Sequence, residues 1–211
     1  FVGNVFQFGK MYTIFGYDVY IGETLLTIFS VLVIAALCIN FKKAAAWIMT
    51  GMAIIFSAAL VIVFAAALFS GDRAAADPAF VPDTSALSQV VNIAVISSWA
   101  FIGFESISHS TEEFSFKHTK IFRVLVISVI SCTLFYVFIT LLSVMAYPDR
   151  YGSWFEYISD LGNLSGLEAF PAFYAANHFL GGFGVTLFLV ALLSLVITSL
   201  IGNTTALSRL F

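Results

Sequence analysis

The side chains in this chain that could do chemistry gather in one stretch, "SSWAFIGFESISHSTEEF", Ser97 to Phe114. Within it stand an indole (Trp99), a glycine two residues before a carboxylate (Gly103, Glu105), an imidazole (His109) and an acidic pair (Glu112, Glu113). A carboxylate in apolar surroundings is costly as an anion and holds a proton more readily than in water, so Glu105 can carry one near neutral pH. The alternative is a neutral Glu105 that only hydrogen-bonds a neighbouring helix. Trp99 can cap a bound ammonium or apolar group with its ring, or simply pack. Phe101 and Phe104 read first as packing residues. His109 opens "HSTEE", but the inverted zinc-protease pattern needs a histidine where Glu113 stands, so a metalloprotease is excluded. His109 then reads as a packing or cytoplasmic-gate residue, and Glu112 and Glu113 as solvated partners of Lys117 and Lys120, each pair worth little.

The elements that must position these groups are set by composition. The chain has 211 residues, 61% hydrophobic and 10% charged, against about 25% charged in a soluble domain. Its mean hydropathy of +1.02 points to an integral membrane protein. Cys38 and Cys132 lie in apolar runs and read as buried thiols, since their spacing matches no metal motif. The net charge of −3 is mild and there is no basic stripe, so nucleic acid is not an expected partner. Phe1 at one end and "SRLF" at the other read as cuts, which makes the chain an expected fragment of a longer protein.

A spanning helix needs roughly 20 apolar residues. The sequence is read as one transmembrane region over 1–211, with spans at 24–41, 44–69, 89–111, 121–147 and 179–207. The connection 148–177 is read as an extracellular lid, with "SWFEYISDL" and "LEAFPAFYAA" as short amphipathic surface helices. Residues 1–23 read as a helix end plus an interfacial loop. Alternating spans place Lys42, Lys43, Lys117, Lys120, Arg123 and Arg209 on one side, and Lys10, Arg73 and Arg150 with nine of the 12 acids on the other. The positive-inside rule therefore puts loop 112–123 and the C-terminal end in the cytoplasm.

The span 89–111 is unlike the others. Its uninterrupted apolar part, Val90–Ile102, covers about 20 Å of the roughly 30 Å of hydrocarbon. "GFESISHST" is too polar to meet lipid, and irregular backbone at that depth survives only when buried in protein or lining a watery cavity. The span is therefore predicted to break near 103–106. A glycine near an acid between two half-helices is the pattern of a discontinuous transporter helix, whose freed carbonyls hold a cation and whose second N-terminus holds an anion.

With these residues in view, the chain resembles the amino acid–polyamine–organocation (APC) superfamily of permeases. The likeness is carried by "FIGFES" (Phe101–Ser106), the pair Glu112–Glu113 followed by a basic loop, the "INFKKAAAW" turn (Ile39–Trp47) and "GNTTALSRLF" (Gly202–Phe211). The resemblance implies an all-α membrane protein with part of a five-plus-five inverted-repeat, LeuT-like fold. Five transmembrane helices, four to eight, would be present, one of them discontinuous. It implies backbone carbonyls of Trp99 and Ile102 for the substrate ammonium, with Gly103, Phe104 and Ser106 at the substrate site. It implies an aromatic gate at Trp99, Glu105 as the acidic residue after the glycine, and Thr198 and Ser199 as ion- or site-facing hydroxyls. Those two hydroxyls equally suit ordinary helix packing. The fifth-helix lysine that some proton-coupled members use is absent from "MTGMAII" (Met49–Ile55).

The expected function is secondary transport of amino acids or related amines by alternating access, without catalysis and without a cofactor. The coupling ion is H+ at Glu105 or Na+ at Thr198 and Ser199, with plain exchange as a further mode. The competing reading is a non-transporting sensor or structural subunit that keeps the fold. The expected partners are a small-molecule substrate, the lipid bilayer and the remaining helices of the parent permease. The expected location is the plasma or inner membrane, as a multi-pass protein.

Overall fold

The computed structural model describes residues 3–14, 17–70, 78–102 and 120–208. Among the described residues, the regular elements are helices apart from one pair of strands. Its elements are β1 (Lys10–Ile14), β2 (Tyr17–Tyr20), α1 (Ile21–Asn40), α2 (Lys42–Phe69), α3 (Ala86–Ala100), α4 (Ile121–Val144), α5 (Trp154–Ser159) and α6 (Pro171–Leu207), with short 3-10 turns between some of them. Four helices, α1, α2, α4 and α6, are long and apolar enough to cross a membrane. They contain the long acid-free runs of the sequence, with Glu23 in the first turn of α1. Within them serine and threonine hydroxyls bond back to the carbonyl four residues earlier, as Thr133 does to Val129 and Thr186 to Gly182. That local bond lets a polar side chain sit in an apolar helix.

The chain divides into two compact units, one of residues 1–51 with 196–211 and one of residues 52–195. In the first, residues 10–20 form an antiparallel hairpin where the sequence reading expects an interfacial loop. Thr13 faces Asp18 across it and donates to its carboxylate at 2.6 Å, and Lys10 pairs with the same carboxylate at 2.6 Å. The hairpin's base is pinned to α1 by the Ile21 N–H, which donates to the Gly9 carbonyl at 2.9 Å. Alternating aromatic and β-branched residues in "YTIFGYDVY" favour strands over helix.

The core of the second unit joins α2, α4 and α6. Leu60, Val63, Phe64 and Ala67 pack with Leu142, Met145 and Ala146 and with Phe173, Ala176 and Phe188. The rings of Phe64 and Phe138 stack at 4.3 Å, and Phe56 meets Phe135 edge-on at 5.6 Å.

α6 is not straight. Gly181 adopts φ 60°, ψ −150°, a conformation open to glycine and strained for other residues. The chain doubles back there so closely that a β-carbon on Gly184 would lie 2.1 Å from the Ala176 carbonyl oxygen. Residues 171–180, part of a segment read from sequence as a surface helix, thus become the first arm of α6. Their Phe173, Ala175 and Ala176 are buried.

The connection between α4 and α6 is folded rather than loose. Ser153 caps α5 by accepting from the Glu156 N–H at 3.3 Å, and the Glu156 carboxylate accepts from the Gly152 N–H at 2.8 Å. This is a close variant of the reciprocal capping that S-x-x-E sequences favour. Tyr157 is fully buried and donates to the Glu168 carbonyl at 2.6 Å. Arg150 grips the Glu168 carboxylate with two nitrogens. Tyr151 and Asn163 donate to the two oxygens of Asp160 at 2.6 and 2.7 Å.

Candidate substrate site

The stretch expected to hold substrate begins at the end of α3. That helix has 15 residues, about 22 Å of length, and falls short of the hydrocarbon thickness. Both ends are held by side chains. At its start the Gln89 amide folds back over the preceding loop. Its oxygen accepts from the Val81 N–H at 3.0 Å, and its nitrogen donates to the carbonyls of Val81 and Thr84 at 3.0 and 3.1 Å. Within the same turn Asp83 has φ 59°, an uncommon left-handed position that aspartate tolerates better than most residues. Pro78, at the loop's start, accepts from the Trp154 indole at 2.8 Å.

At its other end α3 stops at Ala100, and Phe101 turns out of the helix at φ −109°, ψ 9°. A helix end leaves its last four carbonyls without intrahelical partners. Here the Trp99 carbonyl accepts from the Phe101 N–H and, at a long 3.4 Å, from the Ile102 N–H. The Ala100 carbonyl accepts from the Tyr136 hydroxyl at 2.9 Å. The Trp99 and Ile102 side chains stand 76% and 64% exposed, uncovered by the core.

Of the residues that the sequence assigns to the site, the structure thus places Trp99 and Ile102 side by side at the open end of α3. Gly103, Phe104, Glu105 and Ser106 lie outside the described residues, as do His109, Glu112 and Glu113. Thr198 and Ser199 sit on the last part of α6, in the unit of residues 1–51 and 196–211. Ser199 accepts from Asn203 at 3.4 Å. The Thr198 hydroxyl departs from the helical habit: it is buried and has no hydrogen-bond partner among the described residues.

Tyr136 and Gln89 are the two residues that sequence reasoning missed. Tyr136 is the lone phenol in α4, and Gln89 the first uncharged amide of an otherwise apolar helix; neither signal says where the partner lies.

A model of the amino acid permease family matches residues 1–211, the whole chain. The chain belongs to the amino acid permease family. No curated protein and no solved structure matches it. This permease is accordingly an APC-superfamily, multi-pass membrane protein, a transporter of amino acids or amines in general. Its four long apolar helices suit a lipid environment, and the family's substrates are small molecules.

Proposed function

We propose that the permease moves its substrate by alternating access, with the open end of α3 as the place where the substrate's ammonium group rests. The observation that carries this is the stop of α3 at Ala100, where the chain turns out of the helix beside an exposed indole. A protonated amine is recognised by carbonyl oxygens at such a break and by the face of an aromatic ring. In this reading the Trp99 and Ile102 carbonyls hold the ammonium, Trp99 closes over it, and Gly103, Phe104 and Ser106 complete the site. Residues 148–177 form the outer lid. Loop 112–123 and the C-terminal end face the cytoplasm.

Glu105 is proposed as the proton carrier. In the intact protein reconstituted in liposomes, Glu105→Gln is expected to abolish uptake driven by a pH gradient while sparing exchange. Gradient-driven uptake at the wild-type rate would remove the proton role.

Sodium coupling is a second reading, favoured by the orphaned Thr198 hydroxyl. A buried hydroxyl without a partner costs stability, and a bound cation would supply that partner. Thr198→Val is then expected to hold or raise the thermal midpoint without sodium and to lose the upward shift that sodium produces. An unchanged sodium shift in that variant would remove this second reading.

A further inference from the structure

We infer that Tyr136 of α4 is a positioning residue for the substrate site, fixing the open end of α3 through the Ala100 carbonyl. The inference rests on the reading of that end as the place where the ammonium is held.

Two adjacent carbonyls at the break are treated differently. Trp99 receives the Ile102 N–H at 3.4 Å, beyond the usual 2.7–3.2 Å range for such bonds, and the Phe101 N–H as well, both from the turn that follows it. Ala100 receives a phenol at 2.9 Å, a full-strength bond that orients the oxygen toward α4. One carbonyl is met by the backbone of its own turn, while its neighbour is held from another helix. Because the peptide unit is planar, holding the Ala100 oxygen fixes the whole Ala100–Phe101 plane. The same phenol ring packs edge-on against Phe101, with centroids 6.1 Å apart and planes at 70°. Tyr136 therefore engages both the Ala100 carbonyl and the Phe101 ring. The direction of the chain into Ile102 follows from it.

The anchor is itself firm. Phe138, two residues on and so on another face of α4, stacks on Phe64 of α2, and Phe135 meets Phe56. α4 thus carries core contacts to α2 on some faces and the hydroxyl to α3 on another. A phenylalanine at 136 could keep the ring contact. Only the hydroxyl reaches the carbonyl.

The test uses the intact protein in liposomes, assayed by counterflow with each of the twenty proteinogenic amino acids. The amino acid giving the largest wild-type signal is then used for KM and Vmax. Tyr136→Phe is expected to raise KM about five- to tenfold with Vmax within twofold of wild type. Replacing Tyr136 with p-aminophenylalanine, which keeps a donor at the ring's tip, is expected to return KM to within twofold. Wild-type KM in Tyr136→Phe overturns the inference. So does a fall in Vmax at unchanged KM, or a Tyr136→Phe protein that no longer folds while the p-amino variant does, because either makes the bond a structural tie only. A wild-type protein that moves none of the twenty removes the site reading and this inference together, whereas an active wild type with an indifferent Tyr136→Phe removes the inference alone.

Discussion

The indole N–H of Trp154 donates to the Pro78 carbonyl at 2.8 Å, joining α5 to the loop before α3 across 76 residues of sequence. That loop is held in turn by Gln89, on the first turn of α3. The connection between α4 and α6 is thereby tied to the helix that carries Trp99. Trp154→Phe removes the donor while keeping an aromatic ring. The loss is expected to cost about 1 kcal/mol and to speed hydrogen exchange of the Val81 amide. Exchange at Val81 as slow as in wild type would mean that the tie does not order the loop.

Titration should bracket the stability of residues 150–170. Burial first, and then the neighbouring Tyr174 and Glu168, push the Tyr157 hydroxyl from its ordinary value near 10 up to about 12. The folded value is raised, so this contribution is complete below pH 10 and is lost as pH climbs from there to about 12. Asp160 moves the other way, held below the usual carboxylate range by hydrogen bonds from Tyr151 and then Asn163. Its contribution is present above about 4 and is lost as pH falls further. Arg150 is held above its ordinary value by the Glu168 carboxylate and stays charged throughout. With Trp47 and Trp99 replaced by Phe, Trp154 emission should therefore be flat from about pH 4 to 10 and change on either side. Tyr157→Phe should remove the alkaline transition and leave the acid one. An alkaline transition that survives in Tyr157→Phe would contradict this assignment.

Gly181 turns α6 through a conformation that a β-carbon resists. Gly181→Ala should destabilise the protein by about 1–3 kcal/mol, read as a lower thermal midpoint in detergent. The open space around Gly181 means that strain, not collision, is the cause. Gly182→Ala, one residue on with ordinary helical backbone and equally open surroundings, is the control and should change little. Equal effects of the two substitutions would argue against a glycine-only turn.

Much of this architecture was legible in hydropathy. The long acid-free runs became α1, α2, α4 and α6 because apolar side chains tolerate nothing in lipid but a backbone bonded to itself. α3 ends at Ala100, whereas the break expected near 103–106 lies outside the described residues. The hairpin at 10–20 was hidden because its period of two is short and adjoins a long helix. The break at Gly181 was hidden inside "FLGGFG", an apolar stretch whose hydropathy gives no sign of a turn. At the site, Trp99 could be nominated from its place four residues before Gly103, and Ile102 through the family resemblance. It could not find the bond from Tyr136 to Ala100, because a contact across 36 residues depends on how α3 and α4 pack.

The account stands most directly on what Trp99 does. Counterflow of radiolabelled amino acids into liposomes holding the intact protein measures it. Saturable uptake is expected for wild type, with Trp99→Ala raising the substrate KM by more than about tenfold, equivalent to about 1.4 kcal/mol of binding. Saturable uptake with a wild-type KM in Trp99→Ala would contradict the placement of substrate at the open end of α3.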